Sequence, residues 1–148
     1  MDVLLIDDSD GDARLLREVL SEINKTVRLH VVTDGLEAMA FLRHVGPYLN
    51  VPRPQLILLD LRMPKMDGLE VLAQVKTDPR LSVIPIVVLT TSCSEMDIVQ
   101  SYQLKANCYL TKPTELVEFE RLVRTINDFW LTKVRFQTEQ PSVGSPKP

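Results

Sequence analysis

The sequence predicts one doubly wound α/β domain, a five-stranded parallel sheet with helices on both faces, followed by an extended C-terminal helix. Three observations predict it. Five short runs rich in β-branched residues alternate with segments of helical period; several of those runs are apolar throughout, as in strands covered on both faces; and 148 residues suit one hydrophobic core.

The strands are read at residues 2–6, 27–32, 56–59, 86–89 and 108–111. Between them the period changes to 3.6. Leu15, Leu16, Val19, Leu20 and Ile23 share one face of the first helix, Leu69, Leu72 and Val75 one face of the third, and Ile98, Val99 and Tyr102 one face of the fourth. Asp67 followed by Glu70, and Ser94 followed by Asp97, have the spacing of an N-cap with an acidic group in the first turn. Alternation of this kind calls for right-handed crossovers. The segment 44–54, with Gly46, Pro47, Pro52 and Pro54, is expected as a surface loop. From about Thr114 an apolar stripe runs through Leu116, Phe119, Val123, Ile126 and Trp130 to Val134, predicting a helix of roughly 35 Å, longer than the sheet can cover. The domain is therefore read as 1–136, and the polar, proline-bearing residues 137–148 as a disordered tail.

Composition narrows the function classes. A net charge of −3 gives no field that would attract nucleic acid. The longest apolar runs are too short to cross a bilayer, and the acidic pair Asp7-Asp8 interrupts any secretory leader, so a cytoplasmic protein without membrane contact is expected. Cys93 and Cys108 lack the spacing of a metal knuckle or disulfide framework and read as plain thiols.

In an open α/β sheet the ligand crevice lies at the carboxyl ends of the strands. Asp7 and Asp8 end the first strand and Asp60 ends the third, so three carboxylates converge there. Such a cluster is costly unless a cation occupies it, and an all-oxygen set suits Mg²⁺ or Mn²⁺ better than zinc. With the charge neutralised, Asp60 is a candidate nucleophile toward phosphorus. Asp7 and Asp8 would serve equally well as caps of the first helix. The run Asp8, Asp10, Asp12 does not make a calcium loop, because Gly11 is misplaced and no terminal glutamate follows. Thr90 and Thr91 end the fourth strand, where a hydroxyl either contacts a phosphoryl oxygen or caps the next helix. Lys112 ends the fifth, as a point charge for phosphate or as a solvated surface group. Pro113 behind it makes a cis peptide an option.

The set Asp7-Asp8, Asp34-Gly35, Leu59-Asp60-Leu61-Arg62-Met63-Pro64-Lys65-Met66-Asp67-Gly68, Thr90-Thr91, Tyr109 and Lys112-Pro113 resembles the receiver domain of two-component response regulators over about residues 2–125. The resemblance implies a flavodoxin-like strand order 2-1-3-4-5. It implies Asp60 as phosphoacceptor, Asp8 as metal ligand with Asp7 beside it, the Arg62 backbone carbonyl as a further ligand, Thr90 as switch hydroxyl, Lys112 as phosphate contact and Tyr109 as rotating aromatic. Arg62 and Thr91 would modulate the approach of hydrolytic water, and their bulk implies slow self-dephosphorylation. The long second crossover, Asn107-Cys108-Tyr109 and the run from Asn127 to Leu131 are similar to the small regulators paired with bacterial phytochrome histidine kinases.

Signal readout would then fall to the face of the fourth helix, fifth strand and fifth helix, with no second domain expected to receive it. Phe129, Trp130 and Val134, beyond the reach of the sheet, are expected to form a homodimer interface, unless they fold back onto their own domain. Kinase docking is expected around Arg14, Leu15, Glu18 and Thr114. Two other functions stay open at this point. One is an aspartate-nucleophile phosphatase, which would need a general acid where Arg62 stands; the other is a receiver used only as an interaction module.

Overall fold

The computed structural model describes residues 1–137. Its order is β1 (Asp2–Ile6), α1 (Asp10–Ile23), β2 (Arg28–Val32), α2 (Gly35–Arg43), β3 (Leu56–Leu59), α3 (Gly68–Thr77), β4 (Ile86–Thr90), α4 (Glu95–Gln103), β5 (Cys108–Thr111) and α5 (Leu116–Phe129). The strands form one parallel sheet ordered β2-β1-β3-β4-β5, as expected.

Alternate side chains of the central strands feed two separate cores. Leu4, Ile6, Ile57, Leu59, Ile86 and Val88 meet α2 and α3 through Met39, Leu42, Leu72 and Val75. Val3, Leu5, Leu56, Leu58, Val87 and Leu89 meet α1 and α5 through Leu16, Leu20, Phe119, Val123 and Ile126. That is why these strands read as unbroken apolar runs. β5, at the edge, is only half-buried.

Helix starts follow the local chemistry. Asp67 and Ser94 accept hydrogen bonds from the Glu70 and Asp97 N–H groups, as their spacing predicted, and Ser9 and Asp34 do the same for α1 and α2. The 44–54 segment contains a single 3₁₀ turn, Gly46–Tyr48. Tyr48 packs on Phe41, with ring centroids 5.4 Å apart, and its hydroxyl donates to Glu37.

Two expectations need correction. α4 does not bury the stripe Ile98, Val99 and Tyr102: Val99 and Tyr102 are about half exposed, and the buried residues are Asp97 and Ser101. The 3.6-residue period marks an apolar face but not the direction in which tertiary packing turns it.

α5 is 14 residues long and stops at Phe129, well short of the predicted length. The Leu131 N–H reaches back to the Ile126 carbonyl, the Thr132 hydroxyl donates to the Asn127 carbonyl, and the Lys133 and Val134 N–H groups both close on Phe129. This turn carries Leu131 into the α1/α5 core and lays Trp130 and Phe136 against it, while Phe129 faces outward. The terminal apolar residues thus return to their own domain, and only Phe129 stays largely exposed among the three expected interface residues.

The Lys112–Pro113 peptide is trans, since no cis bond occurs among the described residues. The tail expected over 137–148 lies, beyond Gln137, outside the described residues.

Gly68 fits where no larger residue would. A Cβ there would overlap the Asp60 carbonyl and stand 2.6 Å from Leu61 Cα, so α3 begins against the backbone that carries Asp60. The Gly68 N–H donates to the Leu61 carbonyl at 2.9 Å across the same contact. Gly68→Ala is expected to destabilise the fold by about 1–3 kcal/mol, the cost of overpacking, read as a lower urea midpoint. Gly11→Ala, where a Cβ meets nothing, should leave the midpoint nearly unchanged; equal midpoints for the two variants would contradict the close contact.

Candidate functional site

The sheet ladder continues one residue past β1 and β3. The Asp7 N–H donates to the Val32 carbonyl at 3.0 Å and the Asp60 N–H to the Ile6 carbonyl at 2.9 Å, which sets the two carboxylates side by side at the carboxyl edge. On the other flank the Lys112 N–H donates to the Thr90 carbonyl at 2.7 Å. Residues distant in sequence are therefore aligned by backbone hydrogen bonds alone.

Asp7, Asp8 and Asp60 each offer an oxygen within 4.8 Å of the others. Asp7 and Asp60 are buried and Asp8 is exposed, so the cluster opens to solvent on the Asp8 side. Capping does not account for Asp7 or Asp8, because Ser9 caps α1 and Asp7 accepts the Ser9 N–H at 2.9 Å. An all-oxygen donor set with one open flank fits a hard divalent ion that keeps part of its water.

Lys112 is no solvated surface group. It is 5% exposed, and its ammonium donates to Asp7 at 2.7 Å and to Asp12 at 2.8 Å, with Asp60 at 3.5 Å. Burial alone would lower its pKa, but the bonds to Asp12 and Asp7 and the charges of Asp7 and Asp60 reverse that, and its pKa is raised. Burial pushes the Asp7 carboxyl up to about 6, against the opposing pull of Lys112 and the Ser9 N–H. Asp12 was passed over in the sequence, where it stood only in a run resembling a failed calcium loop.

Thr90 is fully buried, and its hydroxyl oxygen lies 3.4 Å from the Ser92 N–H. It does not cap α4, since Ser94 does. Thr91 is exposed. The Tyr109 hydroxyl donates to the Ser92 carbonyl at 2.8 Å, and burial raises its pKa.

Arg62 directs its N–H toward Asp60 Oδ1 at 3.4 Å, while its guanidinium pairs with the Asp97 carboxylate. The same carboxylate accepts the Ser92 hydroxyl at 2.6 Å. Neither Asp97 nor Ser92 was singled out from the sequence, where Asp97 reads as an ordinary first-turn acid. Arg14, Glu18 and Thr114 are exposed and Leu15 is half-buried.

No helix among the described residues is long and apolar enough to cross a membrane. The acid cluster, the buried lysine and the threonine thus lie at the carboxyl ends of β1, β3, β4 and β5, and Tyr109, within β5, reaches the loop after β4. Comparison with known proteins agrees. The response regulator receiver domain model matches residues 3–126. The response regulator Rcp1 of Synechocystis sp. is 52% identical over 132 residues, covering 89% of this chain and 90% of that protein. The structure of the Mn²⁺-bound form of Rcp1 superposes with a TM-score of 0.89 at 50% identity, over 93% of this chain and 99% of that one. That of the phosphorylated cyanobacterial phytochrome response regulator RcpA does so with 0.89 at 46%, over 93% and 98%. With the family model spanning both the sheet and the site, the chain belongs to the response regulator receiver domain family.

Proposed function

We propose that this chain is a phosphorylation switch that accepts a phosphoryl group on Asp60 from a histidine kinase of the phytochrome type. The observation that carries the reading is the Asp60 carboxylate itself, set at the sheet edge beside Asp7 and Asp8, with the Lys112 ammonium 3.5 Å away. An Asp60 oxygen attacks phosphorus, the bond to the donor histidine nitrogen breaks, and that nitrogen keeps the electron pair. The choice of donor is supported by similarity to the regulators Rcp1 and RcpA, and it implies a cytoplasmic chain, where such a kinase meets ATP.

Asp7, Asp8, Asp60 and the Arg62 carbonyl would hold Mg²⁺ or Mn²⁺, whose charge would offset that of the incoming phosphoryl group. Lys112 turns from Asp12 toward a phosphoryl oxygen, and the Thr90 hydroxyl donates to another. Tyr109 follows Thr90, so the change reaches the face of α4, β5 and α5. Two charge-assisted hydrogen bonds, at roughly 1.5–3 kcal/mol each, are enough to shift a two-state equilibrium substantially. Arg14, Glu18 and Thr114, which are exposed, and Leu15, which is half-buried, are read as the kinase-docking surface.

Asp60 is a transient carrier in this reading, not the nucleophile of a turnover enzyme, because Arg62 occupies the place a general acid would need. Thr91, and Arg62 to the extent that it leaves Asp97, slow the approach of water. Incubation with Mg²⁺ and acetyl phosphate should add one phosphoryl group to the intact chain, absent in Asp60→Asn and lasting minutes or longer. Decay within seconds would overturn the slow hydrolysis, and catalytic turnover of phosphate esters would overturn the switch.

A pH dependence follows from Asp7. Its pKa of about 6 in the fold lies above the ordinary carboxylate value of 3.8. The protonated form is therefore favoured in the fold, and this group's contribution to the stability of the ion-free chain is lost as pH rises from about 4 to about 6. A cation needs the ionised form, so Mg²⁺ affinity should fall about tenfold from pH 7 to pH 5. Calorimetric titration would show this, and a flat affinity across that interval would contradict it.

The chain is also read as a homodimer built on the C-terminal end of α5, where Phe129 is exposed and Trp130 and Val134 are half-buried beside it. Sedimentation at tens of micromolar should show a dimer; monomers both with and without a phosphate mimic would reject it.

A further inference from the structure

The underside of α4 is held by polar contacts, unlike that of the other helices. Its two buried residues are Asp97 and Ser101. Ser101 is fully buried, and its hydroxyl finds no hydrogen-bond partner among the described residues. Asp97 is 5% exposed, and its carboxylate takes the Arg62 guanidinium on one side and the Ser92 hydroxyl on the other. Ser92 in turn accepts the Tyr109 hydroxyl on its carbonyl and approaches Thr90 through its N–H. One buried carboxylate therefore joins the residue two places after Asp60 to the loop between β4 and α4, to the switch tyrosine and to the helix on the output face.

Arg62 is the member of this set with freedom to move. Its side chain is more than half exposed, its stem rises from the loop that follows Asp60, and its backbone N–H points at an Asp60 oxygen. A guanidinium released from Asp97 meets a second anion within reach once Asp60 carries a phosphoryl group, and phosphate accepts its planar fork well. The two anions compete for one cation.

We propose that Asp97 is a positioning residue for the lifetime of the aspartyl phosphate: by holding the Arg62 guanidinium against the first turn of α4, it keeps that cation off the phosphoryl group on Asp60. The inference rests on the reading of Asp60 as phosphoacceptor. In the hydrolysis concerned, water attacks phosphorus, the bond between phosphorus and the Asp60 oxygen breaks, and the carboxylate leaves with the electron pair as inorganic phosphate forms. Arg62 paired with phosphoryl oxygens covers the approach of that water. Arg62 paired with Asp97 leaves it open. A partner that moves α4 changes how long the phosphoryl group persists, and the phosphoryl group, by attracting Arg62, loosens α4.

The test is the decay of the Asp60 adduct formed with acetyl phosphate and Mg²⁺, followed by intact mass after removal of the donor. Asp97→Asn keeps the shape and an acceptor for Ser92 but removes the charge, and decay should slow by about three- to tenfold, the scale of one partly solvated charge-assisted contact. In an Arg62→Gln background the same substitution should have no further effect. A purely structural role for Asp97 predicts the opposite, an equal change in both backgrounds, and that result would overturn the proposal, as would an unchanged decay in Asp97→Asn. Should Asp97→Asn fail to fold, Asp97→Ser supplies the second arm: it too removes the charge that holds Arg62, so decay slower than in the unsubstituted chain is expected, and identical decay overturns the inference. An unsubstituted chain that forms no adduct at all would instead overturn the phosphoacceptor reading and this inference with it.

Discussion

A single buried ammonium lies against three carboxylates at the carboxyl edge of the sheet, and the site depends on that arrangement. Lys112 contacts Asp7 and Asp12 closely and stands 3.5 Å from Asp60. Two unit charges about 4 Å apart interact by about 4 kcal/mol at an effective dielectric of 20, so the acids brought together by the parallel strands would repel strongly without it. The cluster is not an efficient source of stability, since desolvating these groups cancels much of the attraction. Burial leaves Asp7 with a raised pKa even beside the lysine. A fold selected only for stability would fill this space with apolar side chains; this one keeps charge in a place where charge can be exchanged for phosphate and metal.

The backbone makes that concentration of charge tolerable. Asp7 and Asp60 continue the ladders of β1 and β3, and Gly68 lets α3 start directly against the Asp60 carbonyl. The carboxylates are thus fixed on the sheet backbone, between two apolar cores. Pre-set geometry of this kind means that little reorganisation is needed when the phosphoryl group arrives.

The two faces of the sheet are built differently. α1 and α5 meet through Leu16, Leu20, Phe119, Val123 and Ile126, a contact that is apolar and resists small displacements. α4 is seated through Asp97, Ser92 and Arg62, with Ser101 unpartnered and Val99 and Tyr102 turned outward. Polar contacts are discrete and can be exchanged one for another, whereas apolar packing can only be broken. This difference makes the α4 side the natural route by which a change at Asp60 reaches the surface.

The strands, the caps Asp67 and Ser94, and the positions of Asp7, Asp8, Asp60, Thr90 and Lys112 at strand ends were legible in the sequence by itself. Each depends on local rules: apolar continuity, a capping side chain three residues from its N–H, a polar residue where a strand stops. Other features were decided only by the tertiary structure. α5 ends at Phe129 because Leu131 finds the α1/α5 core, and a helical stripe carries no mark of where such a return begins. α4 turns its polar side inward because Arg62, 35 positions earlier, supplies a partner for Asp97. Lys112 is buried because Asp7 and Asp12, about a hundred positions away, close over it. Local sequence determines which elements form; pairings between distant charges depend on how those elements pack, and no local pattern records them.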